Sequence, residues 1–303
     1  MNVSIIIVNY NTKELTRNCL KSVFEQTKSI SFEVIVSDNG SEDGSIEMIK
    51  SEFPQVILIE NNANLGFGAA NNRGLKIAKG KYIFFLNSDT LLLNNAVKIF
   101  FDYWETSPEK EKIGALGCNL VDKDGELTHS FGDFLKIKKA TKNLLRRFCG
   151  LTYKGILQKI CKGKRISKKI IYKFYIGKVD YITGADLFLL NNSDAIFDER
   201  YFMYTEEVDL EYKLSKKGLD RLIIDGPKII HLEGGSDKTK CNTLQKQYAS
   251  FSKMQMDISN LKFIKYHHQK IAFFWLKLLT EICWLHPVVY KETKKQIHCL
   301  KEV

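Results

Sequence analysis

Short apolar runs alternate with longer amphipathic stretches along the first 120 residues of the chain. Each apolar run is continuous rather than alternating with polar residues, which is typical of strands buried on both faces of a parallel sheet. Four such strands are predicted, at Val3 to Val8, Glu33 to Ser37, Val56 to Glu60 and Tyr82 to Leu86. Helical patterns lie between them. This β-α-β-α order predicts an α/β fold with a single, mostly parallel, twisted sheet flanked by helices.

The pattern changes after residue 120. A glycine-containing turn at Asp122 to Gly125 predicts a hairpin-like connection. Further along, Tyr181 to Leu190 predicts a strand interrupted by glycine, and Thr205 to Lys216 predicts a helix. Lys228 to Leu232 predicts a last strand, and from about Leu244 the pattern is helical to the end of the chain.

Positive charge is concentrated in one segment. The formal net charge is +11, and Leu135 to Lys178 holds fifteen Lys or Arg residues and no Asp or Glu. These cations alternate with apolar residues, as on a surface that binds anionic lipid, although a solvated helix face has the same composition. No nucleic-acid-binding module accompanies them, so nucleic acid is not an expected partner. We interpret residues 135–178 as a basic insertion in a domain of residues 1–240, followed by a helical extension of residues 241–303.

No segment predicts export or a membrane span. The amino terminus lacks the basic start and the long apolar stretch of a signal peptide. The apolar segment Ile271 to Leu285 carries Lys277 and Glu281 and is shorter than the about 20 residues that span a bilayer, so it predicts an interfacial or packed helix. The seven cysteines are scattered without a Cys-x-x-Cys pair, which indicates reduced thiols. We therefore expect a cytoplasmic location, with peripheral attachment at the inner face of the cell membrane.

Polar residues follow the first two predicted strands. They are Asn9 to Thr12 after the first strand and Asp38 to Ser41 after the second. In parallel sheets, ligands bind beyond the carboxyl ends of the strands, where an aromatic ring stacks on a base and a carboxylate accepts hydrogen bonds from a base or a ribose. Loops and helix caps use the same residue types, so these segments alone leave both interpretations open.

Small residues open the third predicted helix. The segment Asn64 to Gly74 contains three glycines and two alanines, which would let a ligand approach the backbone closely. Its spacing is not the G-x-G-x-x-G pattern of dinucleotide-binding proteins, which argues against a dehydrogenase.

Asp89 is the candidate metal ligand. It follows the fourth predicted strand, and Mg²⁺ or Mn²⁺ needs only one or two carboxylates when a diphosphate supplies other ligands. Alternatively, Ser88 or Asp89 caps a following helix. His231 ends the last predicted strand, where its imidazole is expected beside Asp89, although a lone histidine is more often structural.

Three carboxylates crowd the first turn of the predicted helix near residue 205. Glu206, Glu207 and Asp209 suit the positive end of the helix dipole there. Their mutual repulsion is also expected to raise one pKa toward the value of a general base.

Together these segments resemble the family 2 glycosyltransferases of the GT-A fold, in particular the bacterial branch with rhamnosyltransferases of cell-surface polysaccharide synthesis. The resemblance runs from Val3 to about Ser236. It is carried by Val3 to Asn11, Val36 to Ser41, Asn64 to Asn72, Leu86 to Asp89, Thr183 to Ala185 and Tyr204 to Leu210.

The resemblance implies an inverting transfer of a hexosyl or deoxyhexosyl group from a UDP-, dTDP- or GDP-sugar to a glycan or polyprenyl-linked acceptor hydroxyl. It places Tyr10 and Asp38 on the base and ribose, and Asn71 and Asn72 near the donor. The same donor site would include Val8, Asn9, Asn11, Gly66, Ser88 and Asp89.

The resemblance also implies which residues bind the metal and which residue is the catalytic base. Asp89 matches the last acid of the D-x-D motif that binds Mg²⁺ or Mn²⁺, and Asn87 stands in place of the first. His231 matches a position that reaches the metal or the pyrophosphate in some relatives. Glu207 stands where relatives carry the catalytic Asp of a Glu-Asp pair, with Asp209 as the alternative base.

Two other functions remain open. A nucleotidyltransferase would need a Gly-rich loop with Lys or Arg after the first strand, which Asn9 to Thr12 lacks. A catalytically inactive binding protein is favoured by the departures from the family pattern at Asn87 and Glu207.

Overall fold

A computed structural model describes residues 1–160, 171–232, 250–294 and 296–303. These residues divide into two compact units. The sheet unit lies within residues 1–134, 171–202 and 206–238, and the helical unit lies within residues 135–170, 203–205 and 239–303. The basic segment that we interpret as an insertion thus contributes residues to the helical unit.

Twelve strands, five α-helices and two short 3-10 helices, Lys110–Lys112 and Ser193–Ala195, are described in the sheet unit, together with five α-helices of the helical unit. The strands are β1 (Val3–Asn9), β2 (Phe32–Asp38), β3 (Ile57–Glu60), β4 (Tyr82–Asn87), β5 (Thr90–Leu92), β6 (Ile113–Cys118), β7 (Phe131–Gly132), β8 (Gly177–Val179), β9 (Tyr181–Ile182), β10 (Asp186–Leu190), β11 (Asp220–Ile224) and β12 (Ile229–His231). The helices of the sheet unit are α1 (Lys13–Gln26), α2 (Ser45–Glu52), α3 (Phe67–Leu75), α4 (Ala96–Thr106) and α6 (Glu206–Lys216). Those of the helical unit are α5 (Ile137–Ile160), α7 (Phe251–His267), α8 (Lys270–Trp284), α9 (Tyr290–Thr293) and α10 (Ile297–Glu302).

Eight strands form the central sheet in the order β3-β2-β1-β4-β10-β6-β11-β8. β1, β2, β3 and β4 run parallel to one another, whereas β10 is antiparallel to both β4 and β6. This confirms the mostly parallel α/β sheet. Because β10 is reversed, its first residue Asp186 lies beside Leu86, at the edge where β1, β2 and β4 end with Asn9, Asp38 and Asn87. We call this edge the ligand edge.

The central strands are buried on both faces. Ile5 and Ile7 pack into one hydrophobic cluster, and Ile6 between them packs into a second cluster with Ile35 and Phe85. A strand that buries side chains on both sides must be apolar at every position, which explains the continuous runs in the sequence. The four predicted strands are confirmed, and three of them extend into the polar residues at the ligand edge.

Most of the later elements also follow the sequence pattern. Gly125 has a φ of +80° and its N–H donates to the carbonyl of Asp122 at 3.0 Å, which confirms the turn. The glycine interruption separates β9 from β10. The alternative interpretation of Ser88 or Asp89 as a helix cap is wrong, because the next element is the short strand β5, which pairs with β12. The predicted start of the helical region at Leu244 lies outside the described residues.

The helical unit has a charged centre. The Arg147 guanidinium pairs with Asp257 Oδ2 at 2.5 Å, Lys253 Nζ lies 3.1 Å from Asp257 Oδ1, and the indole of Trp284 donates to Asp257 Oδ2 at 3.0 Å. Burial opposes ionisation of Asp257, but these neighbours hold the pKa of this carboxyl below its ordinary value. One cation of the basic segment is therefore structural. Within the described ranges, the helices are all too short or too polar to cross a membrane.

Candidate active site

Asn9 at the end of β1 organises the ligand edge. Its side-chain amide donates to Asp38 Oδ2 at 2.5 Å and to Ser41 Oγ at 3.0 Å. Its carbonyl oxygen accepts from the hydroxyls of Thr12 and Thr16, both at 2.7 Å. Because Asn9 is fully buried and its amide is occupied on both sides, it positions Asp38.

Asp38 is held rigidly at the end of β2. Its Oδ1 accepts from the backbone N–H groups of Gly40 at 3.0 Å and Ser41 at 2.8 Å, which complements the Asn9 contact on Oδ2. Asn11 has a φ of +54° and ties the two loops together, because its N–H donates to Ser41 Oγ at 2.9 Å. The Tyr10 ring beside it is 47% exposed and is thus available to stack on a ligand. Val8 is half-buried on β1.

Gly66 makes a backbone contact within the protein. It has a φ of +87°, and a Cβ at this position would lie 2.1 Å from the carbonyl oxygen of Phe202, which accepts from the Phe67 N–H at 2.9 Å. The sequence suggested that small residues here admit a ligand. At Gly66 the close neighbour is instead the chain segment that leads toward α6.

Gly66→Ala should therefore destabilise the protein by about 2–4 kcal/mol, because the methyl group meets backbone atoms and the left-handed conformation is strained. Gly125→Ala is the matched control: it has a φ of +80° but no heavy atom within 4 Å of its Cβ position, so only the strain of about 1–2 kcal/mol applies. Urea unfolding of both variants measures the difference. Equal losses would show that the contact with Phe202 contributes nothing.

Asn71 and Asn72 on α3 are both nearly fully buried. The Asn72 amide donates to the Phe197 carbonyl at 2.9 Å and to Glu199 Oε1 at 3.0 Å, and its oxygen accepts from the Phe197 N–H at 2.9 Å. The Asn71 amide donates to the Phe67 carbonyl at 3.1 Å. Asn72 thus fixes the segment that precedes α6, in addition to any part it takes in holding a donor.

Asp89 and His231 converge, as predicted. The strands β5 and β12 pair Thr90 with His231, which brings His231 Nε2 to 3.3 Å from Asp89 Oδ1. The Asn87 amide nitrogen lies 3.5 Å from the same imidazole nitrogen. Ser88 Oγ is 3.1 Å from the hydroxyl of Thr12.

The donor set at this point suits a divalent cation that a ligand helps to hold. No group of three or more His, Cys, Asp or Glu side chains is arranged for a metal in the described ranges. Asp89 Oδ1 and His231 Nε2 supply one oxygen and one nitrogen at 3.3 Å separation. Mg²⁺ and Mn²⁺ accept such partial protein coordination when phosphate oxygens and water complete it. The residues present therefore fit the expected ion.

Asp186 is a site residue that the sequence reasoning missed. It is fully buried at the ligand edge, and its Oδ2 accepts from the Cys118 N–H at 2.7 Å. Its Oδ1 has no hydrogen-bond partner in the part of the chain that the structure describes. Burial raises the pKa of Asp186 to about 7, an effect that the hydrogen bonds from Cys118 and then the charge of His231 oppose. The signal in the sequence was a lone acid inside the predicted strand Tyr181 to Leu190, directly before the apolar run Leu187 to Leu190.

Asp186→Asn should stabilise the protein at high pH. The pKa of Asp186 is about 7 in the folded protein, whereas its ordinary value is 3.8. As the pH rises from 3.8 to about 7, the unfolded chain ionises more readily than the folded protein, so the free energy of unfolding decreases. Above about pH 7 this loss of stability remains constant. The variant should gain about 2–4 kcal/mol at pH 8 and little at pH 4. Unfolding at both pH values measures this, with exposed Asp124→Asn as the control. If the gain in stability were the same at both pH values, the pKa of Asp186 would not be raised by burial.

Glu207 lies at the start of α6, next to the ligand edge. A Cβ on Gly184, two residues before Asp186, would lie 3.9 Å from the Glu207 Cβ. Burial raises the pKa of Glu207 to about 7, although backbone N–H groups of Glu207 and Val208 oppose the shift. The expected cause was repulsion among neighbouring carboxylates. The principal cause is instead loss of solvent.

Asp209 serves a different part of α6. It is fully buried, its Oδ1 accepts from the Tyr201 hydroxyl at 3.2 Å, and its Oδ2 lies 2.6 Å from Lys213 Nζ. These contacts make Asp209 an anchor of the helix. One turn beyond Glu207, the buried Glu211 accepts from the Ile182 N–H with both oxygens, at 2.9 and 3.0 Å, and holds β9 in place. The sequence reasoning had not singled out Glu211.

The sequence matches the family model described as "Glycosyl transferase family 2" over residues 4–162. It is 31% identical to the UDP-Glc:alpha-D-GlcNAc-diphosphoundecaprenol beta-1,3-glucosyltransferase WfaP of Escherichia coli over 181 residues, which are 59% of this chain and 67% of that protein. It is also 33% identical to the poly(ribitol-phosphate) beta-glucosyltransferase of Bacillus spizizenii over 121 residues. That match covers 38% of this chain and only 19% of the Bacillus protein.

The fold is similar to that of the mannosyltransferase PcManGT from Pyrobaculum calidifontis, solved in complex with GDP-Man and Mn²⁺. The TM-score is 0.51 at 13% sequence identity, over 99% of this chain and 85% of that one. At this sequence identity the similarity is evidence for the fold alone, and it confirms the expected GT-A fold.

Proposed function

The chain belongs to the family 2 glycosyltransferases, and on that basis we propose that it transfers a sugar from a nucleotide-diphosphate sugar to an acceptor hydroxyl with inversion at the anomeric carbon. One observation carries the proposal. The pKa of the Glu207 carboxyl is raised to about 7, and the Cβ of Glu207 lies 3.9 Å from the Cβ position of Gly184, two residues before Asp186 at the ligand edge. The same edge carries Asp38, and the Asp89–His231 pair follows the end of β4 there. This arrangement supports a catalytic base next to a binding site for a nucleotide diphosphate.

Glu207 removes the proton of the acceptor hydroxyl in this proposal. As the proton moves to the carboxylate, the acceptor oxygen forms a bond to the anomeric carbon, and the bond from that carbon to the diphosphate oxygen breaks. The diphosphate leaves with the electron pair of that bond. A base with a pKa near the working pH suits this transfer. A single displacement of this kind inverts the configuration of the sugar.

The donor is held by the residues of the ligand edge. We assign the exposed Tyr10 ring to stacking on the nucleobase of the donor. Asp38, which Asn9 holds in place, is assigned to contacts with the nucleobase or the ribose. Asp89 and His231 would hold Mg²⁺ or Mn²⁺, which when bound neutralises charge on the diphosphate oxygens. Asp209 is an anchor in this proposal, and Glu207 is the base.

The relatives suggest the substrate classes. The name of WfaP gives a UDP-sugar donor and a lipid-diphosphate acceptor, and PcManGT was solved with GDP-Man. We infer a UDP-, GDP- or dTDP-sugar donor, with rhamnose among the deoxyhexoses to be tested. The acceptor would be a glycan or a polyprenyl-linked sugar of bacterial cell-surface polysaccharide synthesis, reached from the inner face of the membrane.

Thermal unfolding with a panel of UDP-, GDP- and dTDP-sugars, each with and without Mn²⁺, tests the donor site. We expect one nucleotide class to raise the melting temperature, and the shift to grow with Mn²⁺. The absence of a shift with every donor would contradict the proposal.

A catalytically inactive binding protein is the second candidate, because Asn87 replaces the first acid of the metal motif and Glu207 replaces an aspartate. Such a protein would bind a donor but would never release the nucleotide diphosphate. Measuring the release of nucleotide diphosphate with donor and acceptor both present therefore separates the two functions.

A further inference from the structure

Helix α8 of the helical unit is apolar on two faces. Phe273, Leu276 and Leu279 are buried. A second stripe points outward, with Ile271 81% and Phe274 65% exposed. It is continued by Trp275, Leu278, Ile282 and Leu285, all more than one third exposed. A helix on a protein surface normally has only one apolar face, so the outer stripe indicates a surface that binds something apolar.

Three cations lie next to this stripe. Lys138, Lys142 and Arg146 follow one another at intervals of four residues, which places them on one face of α5. Together with Trp275 and Leu145 they line an open groove of about 520 Å³. The segment from residue 135 to residue 178 contains no Asp or Glu. On the side of α5, the apolar stripe is therefore bordered by positive charge only, whereas α8 itself carries the cation Lys277 and the acid Glu281.

This combination favours an anionic bilayer over other apolar partners. Helix α8 has 15 residues, or about 22 Å of length, whereas a bilayer core is about 30 Å thick, so α8 fits in the plane of the interface. A second copy of the chain would bring two faces of the same positive charge together, which is unfavourable. Anionic headgroups complement the cations, and the acyl chains below them complement the apolar stripe.

We propose that the surface formed by Lys138, Lys142, Arg146, Phe274 and Trp275 docks on an anionic lipid bilayer, with α8 lying parallel to the membrane plane. This proposal specifies the surface by which the chain would attach to the membrane. It rests on the proposed function only for the reason why docking is useful. Docking would concentrate the protein where lipid-linked acceptors are found. The test needs no sugar transfer, so failure of docking and failure of catalysis are distinguishable.

Trp275 provides the readout. The chain has three tryptophans, and Trp104 and Trp284 are only 4% and 0% exposed, whereas Trp275 is 48% exposed. Vesicles of phosphatidylglycerol and phosphatidylcholine should shift the tryptophan emission to shorter wavelength and sediment with the protein. Vesicles of phosphatidylcholine alone should do so much more weakly. Trp275→Phe should lose the emission shift and still sediment with the anionic vesicles.

The triple variant Lys138→Gln, Lys142→Gln and Arg146→Gln should bind anionic vesicles about 100-fold more weakly at low salt. The matched control, Lys21→Gln, Lys76→Gln and Lys123→Gln, removes the same net charge from exposed positions of the sheet unit and should bind like the unchanged protein.

Equal vesicle binding by the two triple variants would overturn the proposal, as would no binding by the unchanged protein. A concentration-dependent dimer that Phe274→Ser abolishes would also overturn it, because a second copy would then cover the stripe. Circular dichroism confirms that each variant is folded. Donor-induced thermal shifts, recorded on the same samples, show separately whether the sugar-donor site is intact.

Discussion

Glu207→Gln should lower sugar transfer by about 100- to 10,000-fold while the donor still binds. The amide has nearly the same size as the carboxylate but cannot take the proton of the acceptor hydroxyl. In the unchanged protein, transfer should rise with pH through the Glu207 pKa of about 7, because only the ionised form accepts a proton. Nucleotide release under saturating donor, recorded from about pH 5.5 to 8.5, measures both effects.

Two companion variants sharpen this test. Glu207→Asp keeps the carboxylate but shortens its reach by one methylene, so it should retain part of the activity and a pH profile of the same shape. Asp209→Asn removes the buried charge that pairs with Lys213, although its amide oxygen can still accept from the Tyr201 hydroxyl, so it should lower the unfolding free energy. If Glu207→Gln turned over at the normal rate and Asp209→Asn were folded and inactive, the assignment of the base would be wrong.

Asp89→Ala should weaken metal-dependent donor binding about 10- to 100-fold, because the ion would lose its carboxylate and keep only His231 and the diphosphate. Titration of the donor with and without Mn²⁺ measures the loss. We expect the enhancement by Mn²⁺ to disappear, while the metal-free affinity stays close to that of the unchanged protein.

His231→Ala should reduce the same enhancement less, since an imidazole contributes no charge to hold the cation. The alternative function of Asp89 is purely structural, through its contact with the imidazole. Under that alternative, both variants would lower the melting temperature equally and leave the response to Mn²⁺ intact.

The strands of the sheet could be predicted because each one is buried on both faces and is therefore apolar at every position. Their order could not be predicted from periodicity alone. β10 inserts antiparallel between β4 and β6, and this placement depends on pairing Asp186 with Leu86 and Phe188 with Leu116, which lie far apart in the chain. The same lack of pairing information left open a helix cap at Ser88 or Asp89, where the structure instead has a three-residue strand that pairs with β12.

The meeting of Asp89 with His231 was expected, because Asp89 follows the fourth predicted strand and His231 ends the last predicted strand. The structure brings the two together through the pairing of β5 with β12. Asp186 was missed, since its importance depends on the reversal of β10, which brings the first residue of that strand to the edge. The role of Gly66 was also hidden. A small residue is compatible with a ligand or with a neighbouring backbone, and only the position of Phe202 decides between them.

Release of a nucleotide diphosphate in the presence of both donor and acceptor would show directly that the chain transfers a sugar. The protein would be incubated with the donor that binds best, Mn²⁺ and a bacterial lipid extract that contains polyprenyl-linked sugars. We predict release that depends on donor, cation and extract, together with an acceptor whose mass has increased by one sugar. Tight donor binding without release, with every extract tested, would contradict the account and identify a binding protein instead of a transferase.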